Sequence, residues 1–132
     1  MNKKILIAGT LLGLSSVIFG AFGAHGLKVL IPVDAQQTFE TGVRYQMYHA
    51  LLLLFVGGTS LVQFKSKKVI FYFTLIGLLF FSGSIYGLAT NTLTTFNFKS
   101  IAFITPIGGL LLILAWGVLL VNFFKIKSKN DK

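Results

Sequence analysis

The chain contains no cysteine, two prolines and three acidic residues among 132. Without cysteine there is no disulfide, no thiolate nucleophile and no Cys-ligated metal. Charged residues make up 11% of the chain, where an ordinary soluble domain carries about 25%. That deficit excludes a soluble globular domain, and a 55% hydrophobic content excludes an intrinsically disordered one. The three acids are Asp34, Glu40 and Asp131, so almost all of the charge is positive and the net charge is +9. Such a balance suggests nucleic acid only when cations and stacking aromatics share one water-exposed face. Here the cations flank apolar runs instead, and nucleic-acid binding is set aside.

What the chain does have is uncharged apolar sequence, at 5–24, 47–64, 69–89 and 101–124. Each run is about long enough, at 1.5 Å per residue, to cross a hydrocarbon layer of roughly 30 Å. These runs predict an all-α integral membrane four-helix bundle, a single four-span transmembrane domain over 1–132 with a basic cytoplasmic tail at 125–132. With four spans, the N-terminus, the second loop and the C-terminus share one side. That side holds Lys3, Lys4, Lys65, Lys67, Lys68, Lys125, Lys127, Lys129 and Lys132; the other holds Lys28, Arg44 and Lys99. The positive-inside rule then predicts a multi-pass plasma (inner) membrane protein with both termini cytoplasmic. The basic clusters are suited to the bilayer's anionic lipid headgroups at the cytoplasmic face. Lys3-Lys4 followed by an apolar run ending in small residues at Ala21 and Gly23 also resembles a secretory signal. The run is longer than a signal's usual 7–15 residues and rich in glycine, which favours a retained first span.

Gly9, Gly13, Ser16, Gly20 and Gly23 recur at spacings of four, three, four and three, a small-residue seam down one helical face. Such seams let helix backbones approach closely inside lipid. Gly83 and Gly87 form a second small-xxx-small pair, with Gly77 and Ser84 on nearby turns. The pattern does not say whether the partner helix is in the same chain, and a homo-oligomer or a membrane-protein partner is compatible with it. In the longest loop, 25–46, Pro32 is followed by Asp34 and Gln37 in capping-box spacing. Glu40 and Arg44 form an oppositely charged i,i+4 pair. These predict a surface helix that continues into the second span. The four residues 65–68 read as a tight loop between antiparallel spans. Pro106 predicts either a kink in a fourth helix beginning at Ile101 or a helix capped by Thr105 and opening at Pro106.

The polar residues with chemistry gather toward the outer ends of the spans: His25, Tyr45, Gln46, Tyr48, His49, Ser82, Ser84, Tyr86 and Thr105. Tyr45 and His49 are one turn apart. A histidine there either hydrogen-bonds between helices, or handles protons or a solute, or ligates a metal. No HxxxH or ExxH spacing supports a metal, no cofactor motif is present, and no Ser-His-Asp set is visible. Neither Asp34 nor Glu40 falls inside a span, which argues against a carrier built on an intramembrane carboxylate.

Four blocks carry a resemblance: GAFGAHGLK at 20–28, YQMYHALLLL at 45–54, FSGSIY at 81–86 and ITPIGGLLLILAW at 104–116. In order and over nearly the whole chain they resemble the YwdK/YgdD-like proteins, an uncharacterised family of small four-span bacterial inner-membrane proteins with a distant eukaryotic relative. The resemblance implies a multi-pass membrane protein and supplies no activity. The leading expectation is a non-enzymatic accessory or structural membrane component. The alternative is a small oligomeric transporter or channel using the His/Tyr/Gln cluster.

Overall fold

A computed structural model describes residues 1–95 and 97–126. The part of the expected basic tail beyond Ile126 lies outside the described residues. The described chain is helical: α1 (Asn2–Ala24), α2 (Val33–Gly58), α3 (Phe64–Ala89) and α4 (Ile104–Phe124), with short 3-10 turns at Leu27–Val29, Asn91–Leu93 and Phe98–Ile101. Each helix packs chiefly on the next, so α2 and α3 form the middle and α1 and α4 flank them. The flanking helices leave large apolar side chains uncovered, such as Leu11 at 59%, Val17 at 62% and Ile113 at 67% exposure. Belts of that kind are rare on water-soluble monomers and ordinary in lipid. Three helices, α1, α3 and α4, are long and apolar enough to cross a membrane. The chain is an all-α membrane bundle.

The small-residue seam of α1 lies on α2. A Cβ at Gly9 would stand 3.0 Å from Ala50 O and 3.2 Å from Leu54 N, while Gly20 faces Val43 and Gly23 faces the Phe39 ring. Gly13 is looser, with Ala50 Cβ at 3.8 Å. Ser16 is buried on the same face and returns its hydroxyl to Leu12 O at 2.8 Å. Phe39 at one end and Gly57 near Ile5 at the other set α1 and α2 antiparallel along most of their length. The α3–α4 crossing is closer still: a Cβ on Gly77 would be 2.8 Å from Leu112, and one on Gly108 would be 2.7 Å from Gly77 O. Gly87 faces the Phe98 ring. Gly83, grouped with the packing glycines on spacing alone, is exposed, and a Cβ there would meet nothing within 4 Å among the described residues.

Several expected boundaries move. The second helix runs unbroken from the segment after Pro32, as expected, but ends at Gly58 instead of residue 64. The tandem Gly57-Gly58 and the Thr59 hydroxyl, which accepts from Leu61 N at 3.1 Å, turn the chain out of the helix. The connection is therefore 59–63, and Lys65, Lys67 and Lys68 belong to α3. Asp34 is not a cap: α2 begins at Val33 after Pro32, and Asp34 accepts from Ala35 N at 3.0 Å. Gln36 ties the turn instead, donating to Lys28 O and Ile31 O at 3.0 Å each. Arg44 donates to Thr41 Oγ1 at 3.2 Å rather than pairing with Glu40. The fourth helix starts at Ile104, between the two expectations for Pro106. Proline then sits in the first turn, where its missing N–H is one of four that have no intrahelical partner. Thr105 does not cap it.

The end of the bundle that holds the N-terminus is tied by Asn122, which the sequence does not single out, and by Lys67, which reads there only as a loop charge. Asn122 of α4 accepts from Gln63 N and donates to Leu61 O, both at 3.0 Å. Buried Lys67 donates to Thr59 O at 2.7 Å and to Asn2 Oδ1 at 3.0 Å. Replacing Asn122, itself buried, by Ala removes the partner of the part-buried Gln63 N–H and Leu61 C=O of the 59–63 turn. The expected result is a loss of about 1–2 kcal/mol in detergent unfolding, and an unchanged midpoint would show that the turn is held by packing alone.

Candidate functional site

α2 supplies the centre of the polar cluster. Gln46, Tyr45 and His49 project from two successive turns, so one helix presents polar groups to three neighbours. Gln46 is buried, and its Nε2 donates to Leu12 O at 3.0 Å and to Ser15 Oγ at 2.7 Å on α1. Because Leu12 O can only accept, the amide orientation is settled, and Oε1 is left to accept from Tyr86 OH at 2.6 Å on α3. The Tyr86 ring is held between Phe19, 5.4 Å away between centroids, and Phe39 at 5.1 Å. It also closes over Gly42, where a Cβ would come within 2.7 Å of the ring.

His49 makes a separate link. Trp116 Nε1 on α4 lies 3.1 Å from His49 Nε2, and Tyr45 O lies 2.7 Å from Nδ1. An indole N–H only donates, so Nε2 accepts and Nδ1 carries the proton that it donates to Tyr45 O. Both ring nitrogens of the neutral imidazole are thereby occupied. Two hydroxyls complete the set: Ser82 donates to Gly42 O at 2.9 Å, and Ser84 pairs with Thr105 across α3 and α4.

The other expected members stand apart. His25 is exposed at the C-terminal cap of α1, its backbone N–H on Ala21 O at 3.2 Å. Near it in the bundle, Gly23 meets Phe39, whereas His49 is ten residues further along α2, about 15 Å down the axis. Tyr48 is half-exposed and contacts Tyr45 edge-on at 5.6 Å. Among the described residues, no three of His, Asp and Glu come together in a way that would hold a metal.

The cluster is also deeper than expected. Gln46 reaches Leu12 and Ser15, which lie at the middle of α1, not its C-terminal end. The cause is the early end of α2: stopping at Gly58 rather than residue 64 moves residues 45–49 about 9 Å inward. Ser15 and Trp116 were not among the predicted site residues. Ser15 stands beside Ser16 and is not marked out from it, whereas Trp116 is alone in an apolar run; a tryptophan away from the helix ends is the one available signal, since headgroup-level belts usually hold this residue. A shallow groove of about 300 Å³, lined by Tyr45, His49, Phe81 and Trp116 with Leu112 and Ile113, covers the His49–Trp116 link.

Residues 19–109, from the C-terminal end of α1 through the first turns of α4, match a family described as "Protein of unknown function (DUF423)". The chain belongs to the DUF423 family. Similar proteins include a UPF0382 membrane protein of Haemophilus influenzae, 38% identical over 97% of this chain and 99% of the relative. UPF0382 membrane protein YwdK of Bacillus subtilis is 36% identical over 93% of this chain and 98% of its own length. UPF0382 inner membrane protein YgdD of Escherichia coli is 33% identical over 98% and 95%. These are the proteins that the four sequence blocks resemble. No solved structure matches this DUF423 chain.

Proposed function

We propose that the chain is a four-span plasma-membrane protein with both termini in the cytoplasm, acting as a non-enzymatic accessory or structural component. The observation that carries this reading is that the polar cluster is spent on holding helices together. Gln46 joins α1, α2 and α3; His49 joins α2 and α4; Ser82 and Ser84 tie α3 to its two neighbours. Among the described residues, only Thr74 Oγ1 is a buried side-chain polar atom without a partner. A site for a reaction or a cargo keeps groups free to engage it, and these groups are engaged with one another.

The fourth crossing is argued from packing. α2 is 26 residues, about 39 Å, and lies antiparallel along α1 from Gly57 to Phe39. If α1 crosses the bilayer, α2 crosses the same layer. Its polar residues Gln46 and His49 are buried among other helices, which is where lipid tolerates them. A reporter fused after Lys132 is expected to read as cytoplasmic; an extracytoplasmic signal would reverse the orientation.

The structural role is tested at the His49–Trp116 link. His49→Ala and Trp116→Phe are each expected to lower stability in detergent by about 1 kcal/mol, the scale of an interhelical hydrogen bond in a membrane. The double variant is expected to cost less than the sum, because both remove the same bond. A pH-dependent flux in proteoliposomes that disappears in His49→Ala with the fold intact would establish the transporter reading instead.

A further inference from the structure

A groove of about 410 Å³ lies at the end of the bundle where α3 begins and α4 ends, and belongs to neither polar link. Its lining from α4 includes Leu114, Gly117, Val121 and Lys125, spaced three or four apart and therefore on one helical face. Its lining from α3 includes Ser66, in the first turn. The two helix ends meet here because Asn122 holds Gln63 N. Both polar termini of the Asn122 amide are used in that tie, so they form the groove's wall and not its binding groups.

We infer that this groove holds one anionic phospholipid, its phosphate between Ser66 and Lys125 and an acyl chain laid along Leu114, Gly117 and Val121. Three observations support that occupant. First, polarity is graded along the groove. Lys125, Ser66 and the Gln63 and Asn122 amides stand at the helix-end level, only apolar side chains and Gly117 line the deeper part, and no carboxylate is in the lining. Second, the length fits: Leu114 to Lys125 is eleven residues, about 16 Å, which is one leaflet of a hydrocarbon core of roughly 30 Å. Third, Gly117 opens a notch in the α4 wall, since a Cβ there would meet nothing within 4 Å.

Charge selects among lipids. Lys125 lies in the groove and Lys65 and Lys68 are exposed on the same first turns of α3, so a zwitterionic headgroup, with its own ammonium, is disfavoured beside them. The groove over His49 has no cation in its lining and gives no such selection. The site rests on the proposed transmembrane placement, but not on which side is cytoplasmic. The terminal reporter tests sidedness, and lipid retention in detergent tests the site, so the two fail separately.

The test is native mass spectrometry of the full chain extracted from vesicles of equal phosphatidylglycerol and phosphatidylcholine. The wild type is expected to retain one phosphatidylglycerol per chain, several-fold over phosphatidylcholine. Lys125→Gln combined with Ser66→Ala is expected to bring the two lipids to near parity. Gly117→Leu, which fills the notch, is expected to reduce retention of both several-fold with the melting temperature unchanged or raised. Equal retention of the two lipids by the wild type would overturn the inference. So would undiminished retention in Gly117→Leu, or a dimer that separates in Gly117→Leu, which would make a second copy the occupant.

Discussion

Gly108→Ala is expected to destabilise the bundle by about 3 kcal/mol, at the upper end of the range for overpacking. The added Cβ would stand 2.7 Å from Gly77 O and 2.8 Å from the Phe80 carbonyl carbon, and it would also overlap Phe81 N. All three are backbone atoms of α3. A flexible side chain can swing aside, but a helix backbone moves only as a unit, so α4 has to retreat along its whole contact with α3. That retreat would also stretch the Ser84–Thr105 pair and draw Trp116 away from His49. The controls are Gly83→Ala and Gly117→Ala, where nothing lies within 4 Å. Both should be neutral or more stable by about 0.5–1 kcal/mol, the helix-interior preference for Ala over Gly. Unfolding midpoints in detergent distinguish the outcomes. Equal effects at all three positions would mean that intrinsic helix propensity, not backbone approach, sets glycine's role here.

The same glycines show how far the fold is legible in the chain. The seam from Gly9 to Gly23 is readable because five small residues on one face of an apolar helix have one physical use. The partner is not readable, since spacing gives a face and not a direction to a neighbour. Gly83 and Gly87 have the same spacing as true packing pairs, yet Gly87 meets Phe98 and Gly83 meets nothing. Gly108 reads as part of the fourth span and not as a packing position, although a Cβ there would make the closest approach to a neighbouring helix described.

Charge is similarly informative about spans and misleading about their ends. Lys65, Lys67 and Lys68 look like a loop between hydrophobic runs, but they lie in the first two turns of α3. Lys67 is accommodated there by Thr59 O and Asn2, a tertiary arrangement that no local pattern encodes. That error in the end of α2 carries through to the site. Residues 45–49 are correctly grouped as polar positions on one helix, but placed too near the surface, and so Ser15 at mid-α1 is missed as a partner of Gln46.

Gln46 is where this misplacement has its largest consequence, because it joins three helices at mid-bundle. Gln46→Leu keeps the volume and removes three hydrogen bonds. Bonds of this kind in membranes average about 0.6 kcal/mol and reach about 1.7, so the expected loss is about 2 kcal/mol. The sum is limited because two partners have alternatives: Ser15 Oγ already donates to Leu11 O at 2.9 Å, and Leu12 O already accepts from Ser16 at 2.8 Å. Tyr86 OH has none among its described contacts, so Tyr86→Phe should cost about 1 kcal/mol by itself. Added to Gln46→Leu it should cost almost nothing further, since the bond it removes is already gone.

Gln46→Glu discriminates most sharply. It matches the shape and retains an acceptor for Tyr86 OH, but it directs a carboxyl oxygen at Leu12 O, where the amide had donated. When ionised, that oxygen faces another acceptor and forms a buried charge without a countercharge; when protonated, its single O–H serves only one of the two α1 acceptors. Near neutral pH and above, where a carboxyl is ordinarily ionised, its loss in detergent unfolding should therefore exceed that of the leucine variant. A glutamate variant as stable as the wild type would show that this position is open to water, and would return the cluster to the class of sites that carry a proton or a solute.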